Sequence, residues 1–347
     1  MRARRTPTVR PPAALAVLAA LLVALVALGP TAPAAAAAAD PARTGVPAQN
    51  GVYTGPGAKG AAGARSWEAF TGRPLGRVLD FLPDTTWFAM TRIQWVLDAY
   101  RDTPARLELS VPMLPAEGGA TLQACARGEY DEHWRAIARV VVGSGRADTD
   151  IRPGWEMNGH WYRWSAAADP DAYVGCFRSL VTAMRSVPGQ RLRFLWSPGV
   201  GDLAVPAERA WPGAAYADAV SVDVYDAHWY WYPSPSGTTP EVARRTVWGQ
   251  LGCGSRGLTH WSAFARAQGV ALGVSEWGAT WRLDGHGGGD NAYFVERMLD
   301  WIDDPRSGVE FATYFASPDS ADLKHDLRGS GTAFPAASAA FLRRLAG

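Results

Sequence analysis

The chain has 347 residues, with 34 Lys and Arg against 33 Asp and Glu, 16 Trp and three Cys. A formal charge of +1, with no run of basic residues interleaved with aromatics, argues against nucleic acid or an anionic membrane as the partner. A neutral substrate fits better.

In chain order, the first feature is an export signal. Arg2, Arg4, Arg5 and Arg10 form a basic start, Ala13 to Leu28 an apolar run, and Ala34 to Ala39 a small-residue tract suited to cleavage. The apolar run is shorter than the roughly 20 residues of a membrane span, and Gly29-Pro30 follows it at once. Residues 1–39 are therefore expected to be a secretion signal absent from a secreted, extracellular mature protein. Loss of its four Arg leaves 30 basic against 33 acidic side chains, a charge of −3. Residues 40–50, rich in Ala, Pro and Gly, read as a flexible lead-in, and 51–347 as one catalytic domain.

From residue 51 onward, short β-type runs alternate with amphipathic helical patterns, which implies parallel strands joined by crossover helices. The predicted strands are Gly51 to Thr54, Arg77 to Phe81, Arg106 to Pro112, Asp150 to Glu156, Leu192 to Ser197, Ala219 to Tyr225, Ala271 to Glu276, and Glu310 to Ala316. Helical stretches between them include Tyr130 to Val142, Asp171 to Val187, Leu258 to Gln268 and Asn291 to Ile302. Eight strands in this order predict an α/β fold, a single (β/α)8 TIM barrel. An open doubly wound sheet is the alternative, but no glycine-rich phosphate loop follows the first strand.

Cys125, Cys176 and Cys253 are an odd number in an oxidising compartment, which allows one bridge; Cys125 with Cys176 is the expected pair, and the sequence leaves the other pairings open. No Cys or His spacing suited to a metal occurs, so neither metal nor cofactor is expected. Sixteen Trp exceed what packing alone demands. Their flat apolar faces and single polar edge suit sugar rings, although about half are expected to fill the core.

Barrel enzymes place their chemistry at the C-terminal strand ends, which here are polar and aromatic. The fourth strand leads into Arg152-Pro153-Gly154-Trp155-Glu156-Met157-Asn158-Gly159, and the fifth into Trp196-Ser197-Pro198. The sixth leads into Asp223-Val224-Tyr225-Asp226 and the seventh into Ser275-Glu276-Trp277-Gly278. Strand alternation puts Arg152, Gly154 and Glu156 on one face, as it does Leu272, Val274 and Glu276, and Asp223 with Tyr225. If those faces are the interior, Glu156 and Glu276 converge on the barrel mouth from opposite walls. A retaining glycosidase needs two carboxyl groups ~5 Å apart, one to protonate the leaving oxygen and one to attack the anomeric carbon. Glu276 would then be ionised, aided by Tyr225 or Arg152, and Glu156 protonated, aided by burial against Trp and by the charge of Glu276. One Glu in such a place reads as readily as a surface residue or a helix N-terminal anion. Two Glu on the fourth and seventh strands favour the paired chemistry.

The pattern Arg152-x-x-x-Glu156-Met157-Asn158-Gly159-x-Trp161-x-x-Trp164, followed by Trp196-Ser197-Pro198, Asp223-x-Tyr225 and Ser275-Glu276-x-Gly278, resembles glycoside hydrolase family 26, typified by secreted β-mannanases. The resemblance implies Glu156 as acid/base, Glu276 as nucleophile, Tyr225 in contact with the nucleophile, and Trp161 and Trp164 shaping the sugar cleft. It also implies retention of configuration without a metal. The chain departs from the family where His usually precedes the acid/base: Trp155 keeps one N–H donor and loses the ionisable ring, which bears on mannan specificity.

Arg152, Trp155, Asn158, Trp196, Asp226 and Trp277 complete the expected substrate-binding set. Trp87, Trp229, Trp231 and Trp281 read equally as groove platforms or core residues. The Gly-rich loop Asp284 to Asp290 reads as a mobile cover, and Tyr230 to Thr239 as a further wall. The expected activity is endo-hydrolysis of a β-linked polysaccharide such as β-mannan by a monomer. β-Glucan, xylan or an exopolysaccharide as substrate, and a carbohydrate-binding barrel without turnover, remain alternatives.

Overall fold

The computed structural model describes residues 50–346, so the expected secretion signal 1–39 and the expected lead-in up to residue 49 lie outside the described residues. Eight parallel strands close a barrel: β1 (Gly51–Tyr53), β2 (Arg77–Phe81), β3 (Arg106–Val111), β4 (Asp150–Pro153), β5 (Arg193–Trp196), β6 (Ala219–Tyr225), β7 (Ala271–Gly278) and β9 (Val309–Phe315). Two short segments beyond the barrel, β8 (Trp281–Arg282) and β10 (Leu323–Lys324), pair antiparallel beside the mouth. The predicted (β/α)8 TIM barrel is thus observed, with all eight strands where the β-type runs placed them.

Local chemistry accounts for the crossover helices. In helix Pro170–Arg185, Asp169 accepts from the Ala172 amide at 2.9 Å, Pro170 occupies the first turn, and Arg185 lies in the last. Its Tyr173, Cys176, Phe177, Leu180, Val181 and Met184, three or four apart, are buried against the barrel. Helix Ala292–Asp303 is capped in the same way by Asn291, which accepts from Phe294. The Cys125–Cys176 disulfide ties the short helix Leu122–Ala126, in the connection after β3, to helix Pro170–Arg185; Cys253 is free and exposed.

The interior holds a small apolar plug of Leu195, Ala219 and Phe311 with Ala271 against it. Above it the interior is ionic. Arg77 lies 3.7 Å over the Phe311 ring and pairs with Glu108 at 3.0 Å and Asp150 at 2.8 Å, while Arg106 pairs with Asp150 at 2.6 Å. Burial alone would raise the Asp150 pKa, but Arg77, Arg106 and Arg193 outweigh it and lower it to about 2.

Strand alternation succeeds on β6 and fails at two ends that matter. Leu272 and Val274 belong to the outer layer shared with the helices, not to the interior. Glu276 reaches the interior because β7 carries an extra residue: Val222 pairs with Val274 but Asp223 with Glu276, so Ser275 is the bulge that re-aims the strand end. On β4, regular structure stops at Pro153. Gly154 and Glu156 both adopt left-handed backbone, with φ 53° and 50°, so they are not continuations of the Arg152 face. Gly154 is required there, because a Cβ would lie 2.2 Å from the Met113 sulfur.

Candidate active site

Arg152, fully buried at the end of β4, organises the mouth. Its Nε donates to Ser197 Oγ at 3.0 Å, Nη1 to Ser110 Oγ at 3.2 Å and to Glu276 Oε1 at 2.6 Å, and Nη2 to Asp223 Oδ2. One planar guanidinium therefore joins the ends of β3, β4, β5, β6 and β7. Burial alone would lower its pKa, but Asp223 and Glu276 outweigh this and raise it, so the cation is permanent.

Glu276 is 5% exposed, and its second oxygen accepts from the Tyr225 hydroxyl. Burial, and then the Glu276 charge, hold the Tyr225 pKa well above the phenol range, so this hydroxyl remains a donor. Both Glu276 oxygens thus meet donors, the arrangement a carboxylate anion prefers. Asp223 differs: burial raises its pKa well above the carboxylate range, opposed by Arg152 and reinforced by Glu276 and Glu156.

Glu156 sits on the loop after β4. Its amide donates to the Ser197 carbonyl at 2.7 Å, which fixes the left-handed turn against the end of β5. A non-glycine residue in this conformation costs about 1–2 kcal/mol, offset here by the loop's packing and hydrogen bonds. The carboxyl accepts from Trp161 Nε1 at 2.8 Å. Burial, and then the charge of Glu276, push its pKa up to about 7, against the Trp161 hydrogen bond and Arg152. Two glutamates at one mouth therefore occupy unlike environments, one surrounded by donors and one disposed to hold a proton.

Aromatic rings wall the mouth. Trp155 meets Phe81 at 5.2 Å, Tyr162 at 5.1 Å and Trp164 at 4.7 Å, with the Arg152 guanidinium 5.6 Å from its ring. Tyr53 stacks on Phe315 at 4.7 Å, and Phe315 and His325 lie 5.7 and 5.1 Å from the Tyr225 ring. Tyr53, Phe81, Tyr162, Asp223, Phe315 and His325 were absent from the expected site set. Asp223 alone had a signal, its inward alternation with Tyr225; the others lie at strand ends or on irregular loops with no residue pattern to mark them.

Of the expected set, Glu156, Glu276, Arg152, Trp155, Trp161 and Tyr225 come together at the mouth. The remaining five do not face it. Trp196 is fully buried on the outer side of β5 against Trp211, Trp261 and Phe264, and donates to the Ala210 carbonyl at 3.0 Å. Trp277 points outward from β7 onto Tyr314 and Phe341. Trp164 is buried, stacked on Tyr162 at 4.6 Å, and donates to the Trp155 carbonyl at 2.8 Å, so it shapes the cleft from behind. Asn158 is buried and exchanges two hydrogen bonds with the Gly199 backbone, at 2.8 and 2.9 Å, clasping the loop after β5 to the loop after β4. Asp226 is buried and accepts from Tyr232 at 2.8 Å and Asn291 at 2.7 Å, holding loops together.

Trp87 stacks on His133 at 4.4 Å and packs on Trp134. Trp229 is exposed and Trp231 and Trp281 half-buried. The 284–290 loop, expected to move, is tied down: His228 and Gly288 amides donate to His286 and Asp226 carbonyls at 2.9 Å each, and Gly289 to Thr280 at 2.9 Å.

Comparison with known proteins agrees with this picture. No curated protein sequence matches the chain. Residues 148–239 match the family model described as glycosyl hydrolase family 26. Among solved structures, a Cellulomonas fimi endo-β-1,4-mannanase double mutant is 19% identical with a TM-score of 0.58, the match covering 80% of this chain and 65% of that one. A Bacillus subtilis mannanase is 14% identical with a TM-score of 0.56, covering 86% of each chain. At these identities the structural likeness establishes the shared barrel. The chain spans 65% of the length of the Cellulomonas protein. Residues 148–239, which carry Arg152, Glu156, Asp223 and Tyr225, are thus the part of the chain that is similar to glycosyl hydrolase family 26.

Proposed function

We propose that the protein is a retaining endo-β-glycosidase that hydrolyses a β-linked polysaccharide such as β-mannan through a covalent glycosyl-enzyme. Glu276 is the nucleophile and Glu156 the acid/base. The observation that carries this reading is the division of environments: Arg152 and Tyr225 donate to both oxygens of Glu276, while burial and the charge of Glu276 raise Glu156 to about 7. In the first step Glu156 protonates the departing glycosidic oxygen as Glu276 attacks the anomeric carbon. Glu276 is then an uncharged ester. The repulsion on Glu156 falls, its proton has left with the aglycone, and it accepts a proton from the attacking water.

Secretion forms part of the same proposal. Its support is the basic and apolar start of the chain together with the Cys125–Cys176 disulfide, a bond that persists in oxidising compartments. The test is a reducing-sugar assay on β-mannan, mixed-linkage glucan, xylan and curdlan, with NMR of the first-formed anomer. Hydrolysis of one polymer with β-anomer appearing first is expected. An α-anomer first would overturn retention, and binding without hydrolysis of every polymer would overturn catalysis.

A further inference from the structure

Trp161 Nε1 donates to Glu156 Oε2 at 2.8 Å from a side chain that is 49% exposed. An exposed indole is free to take other positions, so holding its N–H on one carboxyl oxygen needs a support. The rings of His160 and Tyr162 meet it edge-on, with centroids 5.5 and 6.5 Å away. Gly159 comes much closer. A Cβ on that residue would lie 2.4 Å from Cη2, 2.5 Å from Cζ2 and 2.6 Å from Cζ3 of Trp161. Nearly equal distances to three successive ring atoms put Gly159 under the face of the six-membered ring rather than at its edge.

The backbone under the ring has little room to retreat. The Gly159 amide donates to the Glu156 carbonyl at 3.0 Å, and the Gly159 carbonyl accepts from Ser165 Oγ at 2.5 Å. Its neighbour Asn158 is clasped to the Gly199 backbone at 2.8 and 2.9 Å. One closed turn therefore carries both the carboxyl and the surface on which its donor rests. Gly159 is not among the residues with positive φ, so alanine suits the backbone there, and the three atoms nearest to the added methyl all belong to the indole.

We infer that Gly159 is a positioning residue for the acid/base: its bare Cα seats the Trp161 indole so that Nε1–H reaches Glu156 Oε2. The inference rests on the proposed glycosidase reading and adds a residue that acts on Glu156 through Trp161. The seated N–H stabilises the ionised carboxyl. The other charges that act on Glu156 are Glu276 on β7, Asp223 on β6 and Arg152 on β4, and none of them supplies the atoms that a methyl on Gly159 would strike.

The test compares wild type with Gly159→Ala, Trp161→Ala and the double variant by two measurements. One is the pH profile of kcat/KM on the polymer that wild type hydrolyses best. The other needs no turnover: 15N NMR of tryptophan-labelled protein follows the Trp161 indole N–H, identified by its loss in Trp161→Ala. In wild type this signal should titrate with Glu156. In Gly159→Ala the displaced indole should cease to do so, and the alkaline limb should move to higher pH by about half a unit to one, because the ionised form has lost a donor. Trp161→Ala should give the same movement, and the double variant nothing further. A wild-type indole that does not titrate, an indole that still titrates in Gly159→Ala, an unmoved limb in that variant, or a further shift on the Trp161→Ala background would each overturn the inference. If Gly159→Ala fails to fold while the double variant folds, the conflict is with the indole and the inference is supported; if neither folds, the backbone itself requires glycine and the inference falls. If wild type hydrolyses no polymer, the glycosidase reading falls, and the NMR titration alone decides whether Gly159 holds Trp161 on Glu156.

Discussion

Arg152 and Glu276, 124 positions apart, meet at 2.6 Å on the floor of the mouth, and the same guanidinium also holds Asp223. A buried cation shared by two carboxylates positions the nucleophile and neutralises it. Arg152→Met leaves Glu276 and Asp223 buried without a counter-ion, which should cost about 3–5 kcal/mol of stability. The cost depends on pH. The Asp223 pKa is already raised by burial, and loss of the cation raises it further, so the folded variant holds protons that the unfolded chain releases. Stability of Arg152→Met should therefore decline as pH rises above the ordinary carboxylate range, and the deficit against wild type should be larger at pH 8 than at pH 5. Urea denaturation at the two pH values measures this. An equal deficit at both would mean that Arg152 acts through packing alone.

The two glutamates should separate chemically. Glu276→Ala should lose turnover entirely, and azide should restore it with product of inverted configuration, because the small anion attacks from the space the carboxylate vacated. Glu156→Ala should retain activity on aryl glycosides with good leaving groups, which need no protonation, and give a glycosyl azide of retained configuration. NMR of the products reads both outcomes. Near wild-type rates in either variant would remove that residue from the mechanism.

The disulfide closes a stretch of 51 residues between helix Leu122–Ala126 and helix Pro170–Arg185, and the loop that carries Glu156 lies within it. On chain-entropy grounds a closed loop of that length stabilises by about 4 kcal/mol. A Cys125→Ser, Cys176→Ser double variant should lose stability of that order in denaturant. Its kcat/KM at 25 °C should change little, because Arg152 and Ser197 still hold the loop. A large drop in kcat/KM with unchanged stability would instead make the disulfide a positioning device for Glu156.

The eight strand runs were legible because each is a short β-branched or apolar stretch followed by a turn signal, and the pairing of Glu156 with Glu276 followed from strand number alone. What period-two alternation cannot count is an inserted residue. Ser275 is such an insertion, and it reverses the facing of Leu272 and Val274 relative to Glu276. The same alternation, applied to neighbours, would have turned Trp277 away from the mouth once Glu276 pointed into it. It would likewise have set Trp196 opposite Leu195, which fills the interior. Tyr162 and His325 lie on irregular loops whose paths depend on tertiary contacts, so no local periodicity marks them.

The proton on Glu156 gives a prediction in two directions. Burial and the charge of Glu276 raise its pKa to about 7, and the Trp161 Nε1–H bond at 2.8 Å opposes them by stabilising the ionised form. Trp161 is 49% exposed, so Trp161→Phe should fold normally. Loss of the donor raises the Glu156 pKa further, and the alkaline limb of kcat/KM should move to higher pH by about half a unit to one. Glu276→Gln removes the repelling charge instead, so Glu156 should titrate below its wild-type value. Because that variant does not turn over, the titration is followed by 13C NMR of labelled glutamate. Opposite movements would confirm that one proton on Glu156 governs the alkaline limb. If Trp161→Phe moved the limb to lower pH, or Glu276→Gln raised the Glu156 titration, the limb would belong to another group, with Asp223 the nearest candidate because its raised carboxyl lies within the field of both glutamates.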